Sequence, residues 1–318
     1  MTVDPRKLFA NHYAFLVGID EYDHSRNLEG ARSDAETLYK ALLGIGYSEA
    51  NLWLVPEVKT SQKDLREQIE GFLKIVSNTR RESSDPDIVV FWAGHGIPGD
   101  RSSYLLTKTT TRSLCKIDSE AISLQDLAQY FDDRIHPASL TMFFDVCHSI
   151  AQERESWLGN RRERLLCPMR DAVRRPRRAW GFVGVSTWAF EINLAPHHEA
   201  YRPGGILADA LQKGVRGEPC CPQDEVQCST ENCVVTVESL VPKLERAVAE
   251  MAAEESGRSQ LVSFLADQNS RSTLTPPTAI GLAVRRFAET RFQEESLPRE
   301  TELLAKLAVE DSEAFLWP

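Results

Sequence analysis

Ile88-Val89-Val90-Phe91-Trp92-Ala93 runs without a polar residue into Gly94-His95-Gly96, and Leu140-Thr141-Met142-Phe143-Phe144-Asp145 runs into Val146-Cys147-His148-Ser149. Short apolar runs rich in β-branched and aromatic residues read as strands covered on both faces. In a parallel α/β sheet the carboxyl ends of the strands line the functional crevice. A His and a Cys closing two neighbouring strands therefore open onto one crevice, as a thiol nucleophile and its proton-transfer partner require. Gly94 and Gly96 are expected to ease a backbone turn that exposes His95. The amides of Gly96 and Cys147 can then point at an oxyanion developing on an attacked carbonyl. Each residue also has a plainer reading. A buried thiol behaves as a small hydrophobe, and a His between glycines is commonly a turn residue.

The pattern on either side of these runs alternates between the two periods. Tyr13–Ile19, Leu52–Val55 and Gly181–Ser186 read as further strands, and Leu261–Ala266 as a sixth. Between them lie amphipathic stretches. Ser33 and Glu36 suggest a capping box ahead of Ala35, Leu38 and Leu42, and Ser61 with Asp64 an Asp variant of it ahead of Leu65, Ile69, Phe72, Leu73 and Val76. Ser123 opens a third helix with Leu124, Leu127 and Phe131 inward, and Gly205–Lys213 starts another. In Thr236–Ala253, Pro242 belongs in a first turn, so that helix is expected to begin near Ser239. Strands separated by helices of this length predict βαβ units and a mainly parallel sheet.

The chain has 318 residues, 42% of them hydrophobic and 26% charged, enough for a sizeable core, which excludes a largely disordered chain or a disulfide miniprotein. No run approaches the ~20 apolar residues of a membrane-spanning helix. Met1–Lys7 lacks the apolar core of a signal peptide, and Thr2 stands where myristoylation needs Gly, so a cytoplasmic protein is expected. With 47 acids against 37 bases the net charge is −10, which argues against nucleic acid as principal partner. The charge is uneven. Glu153–Arg178 holds nine Arg and four acids, whereas Glu289–Pro318 holds eight acids and three bases. Seven cysteines, an odd count, do not read as a disulfide framework. Cys220-Cys221, Cys228 and Cys233 lack the paired knuckles of structural zinc and read as a reduced-thiol loop. His197-His198 reads as loop, and no metal or cofactor is expected.

Ala93-Gly94-His95-Gly96 and Asp145-Val146-Cys147-His148-Ser149 resemble the two signatures of the caspase-like cysteine peptidases, in particular the metacaspase-like and bacterial branches. Val17-Gly18-Ile19-Asp20-Glu21-Tyr22, Leu28-Glu29-Gly30-Ala31-Arg32-Ser33-Asp34 and Gly204-Gly205-Ile206-Leu207-Ala208-Asp209-Ala210-Leu211 resemble the family's first strand, first helix and the helix after its fifth strand. The likeness covers roughly residues 8 to 265. It implies a caspase-like three-layer α/β fold, a six-stranded mainly parallel sheet with helices on both faces. It implies Cys147 as nucleophile, His95 as proton donor to the leaving amine, and Asp34 with Asp145 as an acidic pocket for Arg or Lys. Trp188 and Glu191 fall where related enzymes line the substrate cleft.

The implied division is a peptidase domain over 1–270 and an acidic helical extension over 271–318. Within the domain come a large part to about 152, a linker over about 153–179 and a small part over about 180–270. In this family that linker is commonly cleaved, which singles out Arg161, Arg162, Arg164, Arg174, Arg175, Arg177 and Arg178. A zymogen cut by itself or by an upstream protease is the expectation, with protein substrates carrying basic cleavage sites, possible recruitment by an adaptor, and a setting in stress, cell death or antiviral defence. Three departures stand out: Ile150 replaces a usual Gly, Ala93 a usual Ser, and Leu105-Leu106-Thr107-Lys108-Thr109 a calcium-binding segment. They support a competing expectation, a catalytically silent caspase-like adaptor.

Overall fold

His12–Gly18 (β1) is buried at every position, as an unbroken apolar run demands of a central strand. The computed structural model describes residues 5–79, 85–98, 103–111, 116–135, 139–147, 180–188, 205–217, 234–256, 261–266 and 279–282. A short helix, Pro5–Leu8 (α1), precedes β1, and Ala31–Gly44 (α2), Leu52–Leu54 (β2), Gln62–Thr79 (α3) and Asp87–Pro98 (β3) follow. Then come Ser103–Leu105 (β4), Ile117–Glu120 (α4), Ile122–Ser123 (β5), Leu124–Ile135 (α5) and Ser139–Cys147 (β6). Trp180–Trp188 (β7), Ile206–Val215 (α6), Val234–Thr236 (β8), Val237–Ser256 (α7), Leu261–Ala266 (β9) and Ala279–Leu282 (β10) complete the described elements.

The main sheet runs β2-β1-β3-β6-β7-β9. Its first five strands are parallel and β9 is antiparallel to β7, the six-stranded mainly parallel sheet that the sequence predicts. β4 and β5 extend the end of β3, and β10 pairs antiparallel with β8. Residues 279–282 thus pair as a strand inside the segment expected to be a helical extension. Side chains alternate across the sheet. Tyr13, Phe15 and Val17 with Ile88, Val90 and Trp92 pack on α3 and α5. Ala14 and Leu16 with Val89, Phe91 and Ala93 pack on α2, α6 and α7. Helices therefore cover both faces.

Local starts differ instructively from the sequence expectation. The Asp64 N–H bonds Ser61 Oγ at 3.2 Å and the Asp126 N–H bonds Ser123 Oγ at 2.9 Å, as predicted caps. The Ser33–Glu36 box does not form. α2 begins three residues earlier, behind Gly30 at φ 108°, because Asp20 Oδ1 accepts the Ala31 N–H at 2.8 Å. Glu36 pairs instead with Arg32 at 2.7 Å. α7 begins at Val237 rather than Ser239 and takes Pro242 inside it. A reciprocal pair, Ser239 N–H to Thr236 Oγ1 at 3.2 Å and Thr236 N–H to Ser239 Oγ at 3.1 Å, sets that start.

Candidate active site

The two strands that carry His95 and Cys147 are longer than their apolar runs. β3 continues through Gly94-His95-Gly96 to Pro98, because β4 pairs antiparallel with Gly96–Pro98. The expected turn at the two glycines is therefore absent, and His95 stands within a strand at 2% exposure. Gly96 eases a tight contact: a Cβ there would lie 3.3 Å from two carbons of Val146. β6 ends on Cys147 itself. The parallel register pairs His95 with Cys147 and Cys147 with Trp188. Adjacent strands lie about 4.8 Å apart, so the three residues form one row across the carboxyl ends of β3, β6 and β7.

His95 is held on both its backbone and its ring. Its N–H donates to the Tyr22 hydroxyl at 2.9 Å, and its carbonyl accepts the Leu106 N–H at 2.9 Å. Nε2 lies 2.7 Å from the Arg26 carbonyl oxygen. A carbonyl only accepts, so Nε2 carries a proton and Nδ1 is the accepting nitrogen of the neutral ring. Burial pulls the imidazole below its ordinary range, and the Arg26 carbonyl opposes that pull. The ring is thus a neutral imidazole of fixed tautomer at neutral pH. The loop that brings Tyr22 and Arg26 here is closed by Leu28 N–H to Asp20 O at 2.9 Å and Tyr22 N–H to Asn27 Oδ1 at 2.8 Å.

Asp34, in the first turn of α2, and Asp145, two residues before Cys147, converge on the N-terminus of α6. The Gly205 N–H donates to Asp34 Oδ2 at 2.7 Å and the Ala208 N–H to Asp145 Oδ2 at 3.4 Å. Both carboxylates meet orphan helix donors and the positive end of the helix dipole. The packing is close: a Cβ on Gly205 would lie 1.6 Å from Asp145 Oδ2. Burial, opposed by the Gly205 N–H and reinforced by Asp145, Asp20 and Asp209, pushes the Asp34 carboxyl up to about 7. The acidic pair expected from sequence is thus brought together, near the row that holds Cys147.

Tyr22, the Arg26 carbonyl, Gly205, Asp20 and Asp209 did not emerge as site residues from the sequence. Tyr22 and Asp20 sit within the quoted Val17–Tyr22 stretch, but nothing local shows that its loop folds onto His95. Among the described residues, no group of three or more His, Cys, Asp and Glu side chains could hold a metal ion, and no helix is long and apolar enough to cross a membrane. His148, Ser149, Ile150, Glu191, His197-His198, the Cys220–Cys233 loop and the arginines Arg161, Arg162, Arg164, Arg174, Arg175, Arg177 and Arg178 lie outside the described residues.

The caspase domain family model matches residues 11–270. A paracaspase of Dictyostelium discoideum is 28% identical over 92 residues, which is 29% of this chain and 21% of that protein. The chain thus spans about a fifth of the length of that curated relative. Among solved structures, pro-sf-caspase-1 is 17% identical with a TM-score of 0.48, covering 80% of this chain and 90% of that one. A protein from Geobacter sulfurreducens is 12% identical with a TM-score of 0.49, covering 85% and 99%. The family match takes in well over half of the chain, both strand ends and the α6 N-terminus, so the protein belongs to the caspase domain family of cysteine-type peptidases, which are hydrolases.

Proposed function

We propose that the chain is an endopeptidase with a Cys147–His95 dyad that cuts protein substrates after Arg, and less readily after Lys. The observation that carries this reading is the pairing of His95 with Cys147 where the parallel ladder between β3 and β6 ends. Nδ1 of the neutral His95 takes the Cys147 thiol proton, the thiolate sulfur adds to the scissile carbonyl carbon, and the Gly96 and Cys147 amides receive the oxyanion. The C–N bond breaks as His95 passes that proton from Nδ1 to the departing amine, and a water that gives a proton back to Nδ1 then resolves the acyl-enzyme and returns the thiol. Nε2 stays on the Arg26 carbonyl, so the ring acts through Nδ1 without turning over.

The preference for Arg rests on Asp34 and Asp145. The largest influences on Asp34 are its burial, one backbone N–H and three further carboxylates. A guanidinium entering beside this pair would bond two carboxylates at once, which an ammonium does less well. Trp188, next to Cys147 in the register, is assigned to the wall of the substrate cleft.

The zymogen reading extends this proposal. The large part ends near 152, the Arg-rich linker over about 153–179 offers the chain's own preferred residue, and the small part follows to 270, with 271–318 as an extension. Cleavage by the chain itself or by an upstream protease would couple activity to a stress, cell-death or antiviral signal.

A fluorogenic peptide panel with Arg, Lys or Asp before the scissile bond tests the reading. Turnover is expected with Arg above Lys, none with Asp, and none in Cys147→Ala or His95→Ala. Equal turnover by wild type and Cys147→Ala refutes the dyad, and no reaction of Cys147 with an Arg-directed electrophile favours the silent adaptor. Identical intact masses for wild type and Cys147→Ala under activating conditions refute self-cleavage.

A further inference from the structure

We propose that Tyr22 is a positioning residue for His95, its hydroxyl and ring holding the imidazole in the orientation from which a proton reaches the leaving amine. The inference rests on the reading of His95 as proton donor. β1 stops pairing with β3 at Gly18 and Ala93, two residues short of His95. The chain beyond β1 bonds β3 once more, through Ile19 N–H to Ala93 O at 3.1 Å, and then turns away. Tyr22, four residues past the end of β1, reaches back, and its hydroxyl oxygen accepts the His95 N–H at 2.9 Å. A side chain thus takes over where the neighbouring strand has ended. The hydroxyl is at once a backbone anchor for β3 and part of the wall around the ring.

Three further observations tie Tyr22 to the orientation of His95. The phenol and imidazole centroids are 4.6 Å apart with 44° between the planes, a contact that restricts rotation of the ring about its Cβ–Cγ bond. Tyr22 itself is only 7% exposed, so its own rotamer is fixed by packing. Gly94 leaves the space that the hydroxyl occupies: a Cβ there would lie 2.6 Å from the Tyr22 oxygen. The same loop carries the Arg26 carbonyl to Nε2 and is braced by the bond from Tyr22 N–H to Asn27 Oδ1 at 2.8 Å. One loop therefore grips His95 at two points, the hydroxyl on its backbone and the carbonyl on its ring. Loss of the first point frees β3 to shift against the second, and displacements of about 1 Å at a reacting centre cost up to ~100-fold in rate.

The test is Tyr22→Phe, which keeps the ring and removes only the oxygen. With an Arg peptide substrate, kcat is expected to fall about 10- to 100-fold at unchanged KM. In the same folded variant, the imidazole 15N signals of His95 should move away from the single Nε2–H tautomer. Wild-type kcat, or an unmoved His95 spectrum, overturns the proposal. Gly94→Ala supplies a second perturbation, since its methyl group presses on the same oxygen. Its loss of kcat should be smaller in the Tyr22→Phe background than in wild type, and simple additivity overturns the shared mechanism. His95→Ala separates the two levels of inference. If it is inactive while Tyr22→Phe is fully active, only the role of Tyr22 fails; if it retains wild-type turnover, the reading of His95 fails and takes this one with it.

Discussion

Asp34→Asn should make the protein more stable at alkaline pH while removing its activity on Arg substrates. The unfolded chain releases the Asp34 proton near 3.8, whereas the folded chain holds it until about 7. Between those values the folded state binds the extra proton. Stability present below 3.8 is therefore lost as the pH climbs to about 7, and the full cost stands above it. That displacement corresponds to about 4 kcal/mol, of which about 3 kcal/mol falls between pH 5 and pH 8. Asp34 is part-exposed and shares its field with Asp145, Asp20 and Asp209, which halves the figure to about 1.5 kcal/mol. Asn cannot titrate, yet its amide oxygen can still accept the Gly205 N–H. Urea denaturation of wild type and Asp34→Asn at pH 5 and pH 8 measures the effect. Relative to wild type, the variant should gain about 1.5 kcal/mol on going from pH 5 to pH 8. In parallel, kcat/KM of wild type for an Arg peptide should rise with pH through about 7 as the carboxylate forms, and the variant should lose that limb. A stability difference that is the same at both pH values, or one that moves toward wild type at pH 8, refutes the account. So does undiminished Arg cleavage by the variant.

Two substitutions of glycine probe the frame around the same centre. Gly205→Ala places a methyl 1.6 Å from Asp145 Oδ2, so the α6 N-terminus must lift off both carboxylates. Losing two charge-assisted bonds should cost about 3 kcal/mol by denaturant titration, with most of the Arg-peptide turnover lost; wild-type stability and turnover would show that α6 is not seated as described. Gly18→Ala sets a Cβ 2.1 Å from the Ala31 carbonyl oxygen at the start of α2, where backbone rather than a movable side chain must yield. A loss of more than about 3 kcal/mol in thermal or urea unfolding is expected, and a loss under about 1 kcal/mol would contradict the close approach of β1 and α2.

What could be read in the sequence is what neighbours in the chain decide. The apolar run Ile88–Ala93 must be buried on both faces. The spacing of Leu65, Ile69, Phe72 and Val76 makes one helical stripe, and Ser61 and Ser123 cap the helices that follow them. His95 and Cys147 could be singled out because each follows directly on such a run. Where a distant group intervened, the local reading failed. The α2 start moved because Asp20, eleven residues back, supplied the cap that Ser33 was expected to supply. The Gly94–Gly96 turn vanished because β4 returned to pair with it.

The six strands of the main sheet, the helices that cover them and the order of His before Cys are thus properties of the sequence alone, since hydrophobic periods of two and 3.6 are set within a few residues. The strand order β1-β3-β6-β7 belongs to the tertiary structure, because no local pattern states which edges pair. That order alone sets Cys147 between His95 and Trp188 and folds the Tyr22 loop over the imidazole. It also brings Asp34 and Asp145 to one helix N-terminus across 171 and 63 residues of chain. There burial and mutual repulsion, which exist only once the chain is folded, raise an ordinary carboxyl into the neutral range.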